Sequence, residues 1–166
     1  MRTRNFKYPD KAAYDFVSGE LYRRGITLEK IAGIAFDLQK DFYTDAKKAE
    51  FLDAAVDVLH KREVLNNAMV ALELDRLATE GQLKQPLQDI IENDSGVFGV
   101  DESLAVSIAN IYGTIGVTNF GYLDRVKHGV IKELDTQKDG RVNTFIDDLV
   151  GALAAAISAK MAHKYA

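Results

Sequence analysis

The segment Thr144 to Ala159, TFIDDLVGALAAAISA, constrains the fold more than any other stretch of the chain. Adjacent carboxylates, Asp147 and Asp148, stand near its start, and the residues after them are almost entirely small and apolar. A helix without a continuous polar face is poorly suited to a surface, so this one is expected to be surrounded by other helices. Gly151 follows Asp147 by four residues and Asp148 by three, which places it near the acids' face of the helix. Its missing side chain would let another backbone come close there, and Ala154, Ala155, Ala156 and Ala159 extend the narrow surface. The segment predicts a central helix that carries acid at one end.

The rest of the chain reads as the helices around it. Prolines occur only at Pro9 and Pro86, alanine, leucine, lysine and glutamate recur at helical spacing, and no valine-rich alternating runs appear. The expected fold is all-α: one globular domain over residues 1–166, with about six to eight helices packed around the C-terminal one. A first helix spans Asp10 to Arg23 and stops at Gly25, and Thr27 caps a second that carries Leu28, Ile31, Ile34, Ala35 and Leu38 on one stripe. Thr44 or Asp45 is the expected next cap. The run from Ala46 to Glu80 is too long for one typical helix and should break near His60 to Glu63 before closing at Gly81. After Pro86 a short helix, LQDIIEN, leads through the loop Asp94 to Gly99 into a helix opened by Asp101 and Glu102. Thr118 is the expected cap of a further helix containing FGYLDRVKHGVIKEL, on which Asp124 and Lys127 share a face.

Composition removes several functions. With 21 basic and 25 acidic residues and a pI near 5.4, the chain has no electrostatic footprint for nucleic acid. The absence of cysteine excludes disulfides and thiolate metal sites but leaves oxygen ligands open. The basic start, MRTRNFKYPDKAAYDF, leads into no apolar stretch of signal-peptide length, so a cytoplasmic location is expected. The uncharged run Leu149 to Ala159 is 11 residues long, against the ~20 a membrane-spanning helix needs. The loop DTQKDGRVNTFID places Asp135, Asp139 and Gly140 where a calcium loop would have them. It has Gln137 at the third position, however, and Ile146 where a bidentate carboxylate is required. A turn with Gly140 in the left-handed region explains it better.

The acids at or near expected helix beginnings are Asp101 with Glu102, Asp124, and Asp147 with Asp148. Each has an ordinary explanation. A first-turn acid complements the helix dipole by ~0.3 to 1 kcal/mol, and an i, i+3 pair such as Asp124 and Lys127 is worth ~0.2 to 0.5 kcal/mol. Together they suit a hard cation, because Mg²⁺ takes oxygen ligands and is typically held by one or two carboxylates plus substrate phosphate. Neighbouring helical residues diverge by about 100°, so usually one member of each pair would face the ion.

These residues carry a resemblance. The order Asp101-Glu102, then Asp124-Arg125-Val126-Lys127, then Ile146-Asp147-Asp148-Leu149-Val150-Gly151-Ala152 resembles the D-E, D-x-x-K and I-D-D-x-x-A-G pattern of the phosphatidylglycerophosphatase A family, with the last two residues swapped. The motifs span about residues 100–156, roughly a third of the chain. His128 stands where the family usually has proline, and the glycine pair ahead of its D-D is reduced to Asp139-Gly140-Arg141. Its N-terminal G-T-x-G-S segment has no counterpart here, and its membrane members have spanning helices that this sequence lacks.

The resemblance implies Mg²⁺-dependent hydrolysis of a phosphate monoester, with phosphatidylglycerophosphate giving phosphatidylglycerol as the family's reaction. It implies Asp101, Glu102, Asp124, Asp147 and Asp148 as metal ligands, Asp124, Lys127 and Asp148 as catalytic residues, and Lys127 and Arg125 as phosphate-binding residues. The expected partner is a phosphate ester, whether a phospholipid met by peripheral membrane contact or a soluble ester. The Tyr112, Phe120 and Tyr122 group is compatible either with a homo-oligomer or with core packing. Two other readings compete. One is a non-catalytic helical protein that binds a metal, an anion or a partner. The other is a nucleotide phosphohydrolase, against which stands the absence of E-x-x-E and a lone E-x-x-D at Glu50 to Asp53.

Overall fold

The computed structural model describes residues 5–136 and 139–166, so Gln137 of the calcium-like loop and the first four residues lie outside the described residues. Among the described residues the chain forms nine helices and no strand. They are α1 (Asp10–Arg23), α2 (Leu28–Gln39), α3 (Lys48–Leu59), α4 (Arg62–Thr79), α5 (Leu87–Glu92), α6 (Val100–Asn110), α7 (Gly113–Val126), α8 (Val130–Thr136) and α9 (Ile146–Tyr165). The all-α expectation holds. The two short helices, α5 and α8, carry the number just past the six to eight expected.

Helix α9 is the axis of the fold. Every residue from Ile146 to Ala159 is buried, and α2, α3, α4, α6, α7 and α8 all pack against it. The small side chains explain this: a helix of alanines has a thin cross-section, so neighbours can approach it from every side. The close approach expected at Gly151 is made by the Phe120 ring and Ile131 rather than by another backbone. Backbone does come close at Gly116, where an added Cβ would run into the Ala109 carbonyl oxygen and force α6 and α7 apart. Deep in the bundle, Gln39 Nε2 and Asn119 Nδ2 donate to Ser158 Oγ at 2.8 and 3.0 Å, tying α2 and α7 to the middle of α9.

Boundaries differ from expectation in three places. Lys47, not Thr44 or Asp45, precedes α3, with Glu50 reaching back to the Lys47 N–H. Thr118 lies inside α7 and donates back to the Thr114 carbonyl, so it caps nothing. The helix expected to run through FGYLDRVKHGVIKEL is broken at Lys127 to Gly129, where both of those residues have positive φ, +52° and +54°. Consequently Asp124 lies in the last turn of α7 and not at a helix start. Gly140 has φ +71°, as the turn reading requires.

Candidate functional site

The first turns of α6 and α9 and the C-terminal end of α7 bring one group of charges together. Lys127 Nζ donates to Asp124 Oδ1 at 3.1 Å and to Asp147 Oδ2 at 3.0 Å, bridging α7 to α9. The pair is therefore more than the i, i+3 surface contact that spacing alone suggests. Both residues of the D-D step are buried, Asp147 at 8% and Asp148 at 6% exposure. They escape the rule that only one neighbour can face inward because the whole start of α9 is enclosed.

The electrostatics follow from this crowding. Burial pushes the Asp148 carboxyl up to about 8, and the charges of Asp147, Asp101 and Asp124 push the same way against the pull of Lys127. Asp147 is raised by burial too, with Lys127 opposing. Burial alone would lower the Lys127 ammonium, but the charges and hydrogen bonds of Asp147 and Asp124 outweigh it and hold its pKa well above the usual lysine value. Asp101 is raised by burial, and its Oδ1 is enclosed without a hydrogen-bond partner. A buried carboxylate oxygen left unsatisfied is costly, and a cation is one partner that removes the cost.

Asp101, Asp124, Lys127, Asp147 and Asp148 thus share one electrostatic neighbourhood. Glu102 and Arg125 do not join it: both are exposed, and neither side chain makes a hydrogen bond or ion pair among the described residues. His128 is exposed and lies beside Tyr122, with ring centres 6.1 Å apart. Phe120 is core while Tyr122 is exposed, which splits the aromatic group. Among the described residues no three acid or histidine side chains stand close enough to form a ready metal-binding group. The donor set nonetheless fits Mg²⁺, which needs only one or two carboxylates when water and phosphate oxygens complete its shell. Glu50 of the E-x-x-D pair is engaged elsewhere, accepting from Lys164 Nζ at 2.8 Å and the Tyr165 hydroxyl at 2.7 Å.

Sequence reading missed Asp75. It is wholly buried on α4, and its carboxylate accepts from the Phe145 and Ile146 backbone N–H groups, each at 3.0 Å. It therefore caps α9, whose own N-cap residue, Phe145, makes no side-chain cap bond. Burial pushes it up to about 7 against the pull of those N–H groups and of Arg24. The available signal was position: Asp75 falls three residues after Leu72 and three before Ala78, on the apolar stripe. An acid there needs a buried partner.

A family model described as phosphatidylglycerophosphatase A matches residues 18–163, well beyond the segment that carries the motifs. The uncharacterized Bacillus subtilis protein YpjQ is 42% identical over 96% of this chain and 89% of its own length. YutG, another uncharacterized protein of that organism, is 45% identical over 85% of each. A Bacillus stearothermophilus protein of unknown function has a solved structure that superposes with a TM-score of 0.89 at 43% identity, covering 97% of this chain and 98% of its own. The low temperature requirement C protein of Listeria monocytogenes does so with a TM-score of 0.89 at 42% identity, covering 93% and 97%.

Proposed function

The chain belongs to the phosphatidylglycerophosphatase A family, and from that premise we propose that it is a Mg²⁺-dependent phosphomonoesterase acting where α6, α7 and α9 meet. The observation that carries this reading is the Lys127 ammonium, held between Asp124 and Asp147 beside the under-neutralised carboxyls of Asp101 and Asp148. Asp101 and Asp148 are the residues that would hold the ion. Bound there, Mg²⁺ would supply positive charge to the phosphoryl oxygens and lower the pKa of an attacking water. Lys127 donates to a phosphoryl oxygen as charge builds on it, while Asp124 and Asp147 fix its position. The enclosure of Asp147 and Asp148 by helices keeps bulk water from screening these charges.

Two substrate classes fit the chemistry: a phospholipid such as phosphatidylglycerophosphate, or a soluble phosphate ester. Among the described residues no helix is long and apolar enough to cross a membrane. A lipid would therefore be met at a bilayer surface, and the reading places the protein in the cytoplasm. One observation favours the non-catalytic alternative: Lys127 already neutralises Asp124 and Asp147 in a self-contained ion-pair network.

Phosphate release from phosphatidylglycerophosphate and from soluble monoesters, with and without Mg²⁺, decides the matter. Wild type is expected to turn over in Mg²⁺ alone, and Asp148→Asn and Lys127→Met to lose at least ~100-fold. Equal turnover by the variants would remove the assigned roles. No turnover on any ester would leave the binding reading.

A further inference from the structure

Beside the end of α1 and the loop ahead of α9, two clefts of about 240 and 200 Å³ share two lining residues, Arg24 and Arg141. Arg24 is the C-cap of α1, and its position is set by a tight helix end. There the Gly25 N–H donates to the Tyr22 carbonyl at 2.9 Å, the Ile26 N–H donates to the Leu21 carbonyl at 3.0 Å, and Gly25 takes φ +72°. Arg141 comes from the exposed loop ahead of α9. Lys30, from the first turn of α2, lines the larger cleft and is held over the same corner by donating to the Gly25 carbonyl at 2.7 Å. Two segments distant in sequence, the α1–α2 corner and the loop ahead of α9, therefore deliver three cations to one place.

None of these three cations makes an ion pair among the described residues. The other arginines lining the smaller cleft are paired, Arg23 with Glu20 and Arg76 with Glu80 and Glu73. Among the described residues no carboxylate lies within ion-pair distance of Arg24 or Arg141, although Glu133 and Asp139 also line the larger cleft. The hydrogen bond given by the Arg24 side chain is a long one, 3.4 Å to the neutral Asn143 Oδ1. Arg24 is half-buried. Burial disfavours its charge by more than the pull of Asp75 and Glu20 restores, and Arg141 adds a smaller repulsion. A half-buried guanidinium that lines a cleft together with a second guanidinium is an arrangement that an anion stabilises.

We propose that Arg24, Arg141 and Lys30 form a second, non-catalytic site for a phosphoryl group. A tetrahedral oxyanion offers oxygens in enough directions to meet three donors, whereas a carboxylate offers two in one plane. The larger cleft has room for a phosphoryl group with a small substituent. The same chemistry is presented by a free phosphate or phosphate ester and by the headgroup of an acidic lipid. The site does not depend on hydrolysis at the α7–α9 site.

The test is binding of inorganic phosphate by calorimetry at fixed ionic strength without divalent cations, with acetate as the control anion. A parallel arm uses co-sedimentation with phosphatidylcholine vesicles containing phosphatidic acid. Saturable phosphate binding that Arg141→Gln and Arg24→Gln each weaken about tenfold or more, and that Lys127→Gln leaves intact, supports the site and assigns it to free phosphate. Arg141 is exposed on a loop, so its variant keeps the fold even if Arg24→Gln does not. Binding to the vesicles alone, lost in Arg141→Gln, supports the site with a lipid headgroup as its source. Binding that survives Arg141→Gln, that is lost only in Lys127→Gln, or that is absent in both arms overturns the proposal, as does acetate bound as well as phosphate.

Discussion

Lys127 and Asp75 show how single residues set the candidate site. Lys127 adopts the left-handed conformation that usually falls to glycine at a helix end, at a cost on the order of 1 kcal/mol or more. Two carboxylates hold its ammonium, and the same turn that strains the backbone aims the side chain at Asp147. Asp75 works from the opposite side, since its carboxylate occupies the positive end of α9 and fixes where Asp147 and Asp148 begin. Asp75→Ala removes the acceptor from two buried N–H groups and is expected to cost about 2 to 4 kcal/mol in chemical denaturation. Asp75→Asn keeps one carbonyl acceptor and should cost clearly less. Equal losses would mean that Asp75 acts by charge and not as a cap.

At the scale of elements, the helices that were legible were those whose signals are local. Thr27 with the stripe from Leu28 to Leu38 gave α2, and its hydroxyl accepts from the Lys30 N–H at 3.3 Å. The apolar run after Asp148 gave α9 as the core. What was not legible depends on partners far along the chain: the cap of α9 lies 70 residues away, and a break at Lys127 has no glycine or proline until Gly129. The acids of the site were legible as a set because three motifs recur in order, while the exclusion of Glu102 and Arg125 depends on how α6 and α7 are rotated in the bundle. Glycine shows the same division. Gly116→Ala is expected to destabilise by about 1 to 3 kcal/mol, because its Cβ meets the rigid Ala109 carbonyl where α6 turns into α7. Gly121→Ala, on the same helix but facing open space, should instead stabilise by up to about 1 kcal/mol. Denaturation midpoints of the two variants should move in opposite directions, and a shared direction would contradict the close α6–α7 packing.

The whole molecule is built to hold acid in its interior, and that ties its stability to pH and to cations. Asp148 and Asp75 titrate from about 8 and about 7 in the fold, against 3.8 for an unperturbed aspartate, and Asp101 and Asp147 are raised as well. Between pH ~4 and ~8 the folded chain keeps protons that the unfolded chain has released, so raising the pH through this range favours unfolding. Without divalent cations, the unfolding free energy is expected to fall from pH 5 to pH 8 by on the order of 2 kcal/mol or more. Glu50, held down to about 2 by Lys164 and Tyr165, works in the opposite sense, but its contribution is lost only below pH ~4.5, beneath this window. Asp148→Asn removes an ionising group without changing its shape, so its profile should be shallower and it should exceed wild type in stability at pH 8. A Mg²⁺ ion shared by Asp101 and Asp148 would stabilise their charged forms, so Mg²⁺ should raise the melting temperature of wild type more at pH 8 than at pH 5. The Asn variant should respond weakly at both. A wild-type profile that is flat from pH 5 to 8 and indifferent to Mg²⁺ would mean that the carboxyls are ionised in the fold throughout this range with Lys127 as their counter-charge, and that the meeting point of α6, α7 and α9 is a structural junction.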